Sequence, residues 1–368
     1  MTVTIDGTTG IDKVQDGSIV YADLASNIPL GTKNLIINGN MQIAQRGTST
    51  SGLTGDNFNY NSVDRFQTVL FTTTSVWTQS QSTDVPTGQG FSNSLKMDCT
   101  TADASLDAGT NITIEHKMEG QNLQHLKKGT ASAESLTLSF WVKSNKTGTY
   151  IVEIDDNDNA RNINNAYTIN AADTWEKKTI TIDGDTTGTL DNDNGHSLRV
   201  IWWLAAGSNY TSGTLQTSWG STVNTNRAVG SVNLADSTSN YINITGVQLE
   251  VGENATPFEN RMYSQELAMC QRYYQYVGKF SYFPMVVGFA VSSTQLWLVT
   301  NLITIMRASP TVTVGGTALN YVFAPDVASP TTVFWQSNSN SGLSTAGSYR
   351  AYNGGGDGTS YFAYSAEL

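Results

Sequence analysis

Charge is what this sequence has least of: Asp, Glu, Lys and Arg make up 14% of its 368 residues, against roughly 25% in ordinary globular chains. Its 20 basic residues are outnumbered by 31 acidic ones, for a formal net charge of −11. Such a chain offers no basic face to duplex nucleic acid or to an anionic membrane, so neither is expected as a partner. Cysteine is almost missing. Cys99 and Cys270 lie far apart and form no Cys-x-x-Cys, which excludes a disulfide framework and a thiolate metal site. Long hydrophobic runs are missing too. The apolar stretches at 284–291 and 296–306 fall short of the roughly 18–20 residues of a membrane helix, and no membrane insertion is expected. The opening MTVTIDGTTG has neither the basic nor the apolar region of a signal peptide, so synthesis in a cytoplasm is expected.

Histidine is scarce, and that limits catalysis. His116, His125 and His196 are the three available, and no Gly-x-Ser-x-Gly elbow accompanies them, so a serine or cysteine hydrolase is not expected. His116 and His125 are nine apart, without metal-ligand spacing. Glycan cleavage needs two carboxylates across a groove. Glu115, Glu119, Asp155, Asp156, Asp158 and Glu250 are the candidates, and solvated acidic faces are the preferred reading of them. The clusters DDNDN (155–159) and DNDNG (191–195) carry hard oxygen ligands, but neither completes a twelve-position calcium loop. Tight turns are the preferred reading. If an ion binds, Asp191 and Asp193 would hold a structural calcium, because Gly195 permits the sharp turn; no other cofactor is expected.

What is present is β-forming. Hydrophobic residues are 39% of the chain, enough for real cores. Residues 1–33 mix short β-prone pieces with glycines and read as an arm. From 34 to 260 the chain repeats a β rhythm. LTLSFWV (136–142) places Leu136, Leu138, Phe140 and Val142 on one strand face. YIVEI (150–154) follows a turn at 145–148 and looks like its hairpin partner. TWEKKTITI (174–182) and SLRVIWWL (197–204) add further strands, and short strands with Gly, Asn and Asp turns describe a two-sheet sandwich.

Pro257 stops that rhythm, and residues 261–277 read as a helix ending at Gly278. Tyr263, Leu267, Cys270, Tyr274 and Val277 recur at spacings of four, three, four and three, a stripe of the coiled-coil kind. So short a helix does not stand alone in water. Its stripe is expected to be buried against its own domains or, preferably, against copies of itself. Beyond it, at 278–368, the only charged residues are Lys279, Arg307, Asp326, Arg350, Asp357 and Glu367, and strand-like runs read as a second β-sandwich, a tip.

Sugar recognition pairs aromatic faces with hydroxyl-bonding polar groups. Trp335, Tyr349, Tyr352 and Tyr361, beside polar Gly-rich loops, are the preferred ligand-binding set. Trp202, Trp203, Tyr210 and Trp219 are the second set, with core or interface the preferred reading of Trp202 and Trp203.

Several of these segments carry a resemblance. NLIINGNMQ (34–42), LTLSFWVKS (136–144), TWEKKTITI (174–182) and NITGVQLEVG (243–252) resemble the first, central, next edge and closing strands of jelly-roll carbohydrate-binding modules. KVQDGSIVYADLAS (13–26), PFENRMYSQELAMCQRYYQ (257–275) and MRASPTVTV (306–314) resemble the arm, hinge helix and tip of phage tail fibres. The resemblance implies a mainly β protein: attachment arm 1–33, carbohydrate-binding-like jelly-roll sandwich 34–260, hinge helix 261–277 and β-rich tip 278–368. It implies a homotrimeric, non-enzymatic virion adhesin, joined to other tail proteins by its arm and binding host polysaccharide or lipopolysaccharide. A depolymerase tailspike and a purely structural connector are the alternatives.

Overall fold

Leu136, Leu138, Phe140 and Val142 are all buried, and the strand that carries them belongs to one of two facing sheets. The computed structural model describes residues 33–278, 284–290, 296–315, 324–328, 332–337, 348–352 and 361–368, with side chains described up to 276, from 302 to 313 and from 363 onward. The expected arm lies outside the described residues except for Lys33.

In chain order the sandwich strands are β1 (Ser49–Leu53), β2 (Asn57–Tyr60), β3 (Gln67–Phe71), β4 (Val76–Ser82), β5 (Ser94–Thr101), β6 (Asn111–Glu119), β7 (Leu136–Ser144), β8 (Gly148–Asp156), β9 (Arg161–Ile169), β10 (Glu176–Ile182), β11 (His196–Ala206), β12 (Gly220–Ser221) and β13 (Tyr241–Val251). The first sheet has the order β1-β4-β5-β13-β7-β10 and the second β12-β9-β8-β11-β6-β3-β2. Neighbouring strands pair antiparallel, and Phe66, Trp77, Phe140, Val152, Trp202 and Leu249 fill the space between the sheets. The fold is mainly β, a jelly-roll sandwich: the strand rhythm led us to expect two sheets, and the resemblance implied the jelly roll.

Two local expectations are corrected. β8 is not the hairpin partner of β7: β7 pairs with β10 and β13, whereas β8 pairs with β9 and β11 in the other sheet. The turn between them is an arch, with the Tyr150 hydroxyl donating to Lys146 O at 2.7 Å. Both strands send apolar faces into one core, which pairing across the core satisfies as well as pairing side by side. Gly148 sits in the arch at φ +133°, where an added Cβ would lie 2.7 Å from Val232 Cγ1, so this position needs glycine. The segment 34–42 is also no regular strand. It turns at 37–40 and lies along β13, with Leu35 N–H donating to Leu249 O at 2.9 Å and Val247 N–H to Gly39 O at 2.9 Å. The chain thus enters the sandwich beside the strand on which it leaves.

The expected helix 261–277 is shorter. α1 is a single turn at Ser208–Thr211, and α2 spans Tyr263–Gln271. The backbone then enters β14 (Tyr274–Gly278), which pairs with a strand at Tyr361–Ser365. Tyr273 to Val277 is a β-prone run, and its partner lies so far along the chain that no local window contains it. Tyr263 is 58% exposed, Cys270 is fully buried and Tyr274 is buried in a strand; Leu267 is half-buried, and Val277 is in β14 with its side chain outside the described residues. The five stripe positions therefore do not form one helical face. α2 instead packs on its own sandwich. Glu266, 4% exposed, accepts from the N–H of Asn38, and Arg272 makes a two-pronged bond to Glu119, at 2.7 Å and 2.7 Å. The Arg65 guanidinium lies 3.4 Å from the centre of the Tyr273 ring.

Beyond α2 and β14 come β15 (Pro284–Ala290), β16 (Leu296–Asn301), β17 (Thr311–Gly315), β18 (Ala324–Ala328), β19 (Thr332–Ser337), β20 (Ser348–Tyr352) and β21 (Tyr361–Ser365). They form a three-stranded sheet, β14-β21-β17, and a five-stranded one, β18-β19-β16-β15-β20. The chain end returns to the sandwich: Glu367 pairs with buried Arg65 and, at 2.8 Å, with Arg46, and Lys117 donates to Leu368 O at 3.1 Å.

Candidate functional site

The same alternation that turns Phe140 inward turns Trp141 and Lys143 outward, onto the open face of the first sheet. On this face Lys143 lies opposite Asn243, which lies opposite Lys96, and Trp141 lies between Thr245 and Lys177. Trp175, just before β10, continues the Lys143 row. Its indole N–H donates to Asp84 Oδ1 at 3.0 Å, and Lys143 Nζ donates to Asp84 Oδ2 at 2.7 Å. One loop carboxylate thus fixes a tryptophan and a lysine from neighbouring strands. Tyr241, on β13, donates its hydroxyl to Asp173 and has Lys96 Nζ 4.9 Å from its ring centre. Trp141, Trp175 and Tyr241 are all half-buried.

The rest of this face is covered. Residues 252–259 cross it, with Thr137 Oγ1 donating to Gly252 O at 2.7 Å and Glu259 N–H to Gln248 Oε1 at 2.8 Å. Phe91 packs edge-on to Phe258, ring centres 5.1 Å apart. These groups border the open patch.

Burial works to raise the pKa of Asp84, but the bonds from Lys143 and Trp175 outweigh it and hold the carboxyl below its ordinary value. Asp84 is therefore an ionised acceptor at neutral pH. Burial, then the bond to Asp173, holds the Tyr241 phenol well above its ordinary value, so it stays a neutral donor. The patch offers apolar ring faces, an ionised acceptor and ammonium donors, whereas Asn243 is fully buried beneath it.

The open face of the second sheet is different. The 207–239 loop lies over Ile151, Ile201 and Trp203, with Ala228, Tyr210 and Leu215 packed on them. Arg227 reaches under the loop to Glu153, 2.9 Å away, and the Trp203 indole N–H donates to Glu153 Oε2 at 2.9 Å. Both Trp202 and Trp203 are fully buried, the first against Phe66 and Phe140 and the second beside Tyr210, ring centres 5.2 Å apart. Trp219 is half-buried and donates to Asp183 O at 2.8 Å. This aromatic set serves packing.

Of the expected ligand-binding set, Trp335 is on β19, Tyr349 and Tyr352 are on β20, and Tyr361 opens β21 in the other small sheet. Their side chains lie outside the described residues. The carboxylates weighed for catalysis are engaged. Arg199 clamps Glu115 at 3.0 Å and Asp155 at 2.9 Å. Lys128 holds Asp156, Asp158 accepts from Asp191 N–H at 3.0 Å, and Glu250 accepts from Thr256 N–H at 2.9 Å. Glu119 is held below its ordinary pKa: burial opposes this, but the bonds from Arg272 and Tyr273 prevail.

Asp193 Oδ1 accepts from Gly195 N–H at 2.7 Å, an Asx turn, and Asp191 is exposed beside it. Among the described residues, no group of three or more His, Cys, Asp or Glu side chains is placed to share a metal ion. His116 is fully buried, His125 is exposed and His196 is half-buried. Burial, then Arg199, brings the His196 pKa down to about 3.

No family model matches the sequence, and no curated protein matches it. Among solved structures, the chain is similar to the enzymatically active domain of bacteriophage CBA120 tailspike protein 4, at 14% identity and a TM-score of 0.31 over 60% of this chain. The chain spans only 21% of that tailspike chain's length. It is similar to a CBM4 structure at 13% identity and a TM-score of 0.31, covering 59% of this chain and 99% of that one. It is also similar to the family 11 carbohydrate-binding module of the cellulosomal cellulase Lic26A-Cel5E of Clostridium thermocellum, at 10% identity and a TM-score of 0.28, covering 54% and 94%.

Proposed function

We propose that this protein is a virion tail-fibre adhesin that binds host-surface glycan, and that the open face of the first sheet is its binding surface. One observation carries the reading: half-buried Trp141, Trp175 and Tyr241 share a single sheet face with Lys143 and ionised Asp84. Aromatic faces take the C–H side of a sugar ring, while carboxylate and ammonium groups bond its hydroxyls. The protein holds glycan without cleaving it. In favour of that is the engagement of each weighed carboxylate by a cation or a backbone N–H, which leaves none of them as a free acid poised over a groove.

Residues 1–33 attach the fibre to other tail proteins, and three copies act together on the host surface, where avidity replaces a tight single site. The trimer does not need the helical stripe. Apolar Ile303 and Ile305, 63% and 64% exposed, offer surface for neighbouring copies.

A glycan array read with the full chain, Trp141→Ala, and Trp335→Ala with Tyr352→Ala tests this. Loss of binding in Trp141→Ala alone, with melting unchanged, supports the sheet face. Loss only in the Trp335/Tyr352 variant moves the site to the C-terminal strands and overturns it. Release of reducing ends from the bound glycan would show a depolymerase, and native mass spectrometry reads the trimer.

A further inference from the structure

Lys177 stands directly across from Trp141 in the register of β10 and β7, so the two side chains rise on the same open face with Cβ atoms about 5 Å apart. Lys177 is exposed. Every other Lys and Arg side chain among the described residues makes an ion pair or a hydrogen bond. Lys177 makes neither. Its neighbours show the contrast: Lys143 is taken by Asp84 at 2.7 Å, Lys96 by Asp98 at 2.8 Å and Lys178 by Glu176 at 2.5 Å.

A second donor stands beside it. The Trp141 indole N–H has no hydrogen-bond partner among the described residues, and it is not closed off from solvent. Trp175, by contrast, has given its N–H to Asp84. Indole and ammonium donate and cannot accept. The positions around Lys177 on this face are Trp175 and Thr179 along its own strand and Lys143, Trp141 and Ser139 across on β7, and none of them carries a carboxylate. Two adjacent open donors with no acceptor between them suit a ligand group that is negative and rich in acceptor oxygens. The rest of the molecule limits that group's extent. A chain of net charge −11 repels a run of anions, and one unpaired ammonium serves one anionic group.

We infer that the sheet face selects glycan by a single anionic sugar residue, whose carboxylate or phosphate is bonded by Lys177 Nζ and the Trp141 indole N–H. The inference rests on the sheet-face reading and names the substrate class of that site. Ring faces hold the C–H sides of the glycan, and the unpaired lysine sets the preference for a charged residue over its neutral counterpart.

The test is a glycan array in which each singly acidic glycan is printed beside its neutral form. Sialyllactose and a glucuronic acid disaccharide are paired with their carboxyl-reduced forms, a mannose 6-phosphate oligosaccharide with its phosphatase product, and bacterial surface glycans are treated in the same two ways. The carboxylate and phosphate arms separate the two sources of charge. Binding lost in Trp141→Ala should favour an acidic member over its neutral form by about threefold to tenfold. Lys177→Gln should bring the acidic form down to the level of the neutral one with unchanged melting, and Lys177→Arg should keep the preference. Lys127→Gln, which removes the same charge from the loop before β7, should change nothing. Binding that depends on Trp141 but is equal for both members of every pair overturns the inference and leaves the sheet-face reading standing. So does a preference untouched by Lys177→Gln, or one that Lys127→Gln lowers as much. No binding that depends on Trp141 overturns both.

Discussion

Removing Arg227 should be among the most damaging single changes to the sandwich. Glu153 is fully buried, and Arg227, 9% exposed, is the one cation paired with it among the described residues, at 2.9 Å. Trp203 and Asn162 donate to the same carboxylate, at 2.9 Å and 3.1 Å, but neither carries charge. Arg227→Met keeps much of the apolar stem and leaves a carboxylate buried beside neutral donors. Losing one member of a buried pair costs about 3–5 kcal/mol, roughly two to nearly four powers of ten in the folded-to-unfolded ratio. Burial already raises the Glu153 pKa against the opposing charge of Arg227, and without the arginine it rises further. A carboxyl whose folded pKa exceeds its unfolded value, about 4.3, takes up a proton on folding. Its charge burden is then absent below about pH 4 and grows as pH climbs to the folded value. Urea unfolding of wild type and variant at pH 7 and pH 4 measures this, each variant set against wild type at the same pH. The loss should be large at pH 7 and smaller at pH 4, and Glu153→Gln with Arg227→Met should recover part of it. A loss below about 1 kcal/mol at pH 7, or an equal loss at both pH values, would refute the argument.

Gly39→Ala should destabilise by about 1–3 kcal/mol or more, because its Cβ would lie 2.1 Å from the Val247 carbonyl oxygen, a backbone atom that cannot swing away; a thermal melt within error of wild type would contradict this. Cys270 is fully buried with its thiol pushed well above its ordinary pKa by burial, and burial pushes Cys99 up to about 11. Because the thiolate is the reactive form, intact-mass analysis after iodoacetamide at pH 7.5 should show no adduct on native protein and two after unfolding in urea.

The alternation of LTLSFWV reported the phase of one strand, and phase is a local property. It placed Phe140 in the core and, by the same count, Trp141 outside, so part of the candidate surface was legible in the chain itself. The partnership of Trp175 with Asp84 was not, since the two lie 91 residues apart and meet only because a loop folds over the edge of the first sheet. Trp202 and Trp203 were legible as opposite faces of a strand. That both are buried depended on the 207–239 loop, whose Arg227 and Tyr210 cover the second face. The stripe from Tyr263 to Val277 had a true helical beginning and a misleading end.

By itself, then, the sequence determined what neighbours in the chain can decide: β phase, turn positions and the existence of a short helix after Pro257. Tertiary structure decided which strands became neighbours, where the helix stopped and which aromatic rings stayed open to solvent. The reason is that a β-strand satisfies its backbone through a partner of any sequence distance. Chain pattern fixes which side of a strand faces inward, and only the packed molecule fixes what lies beside it.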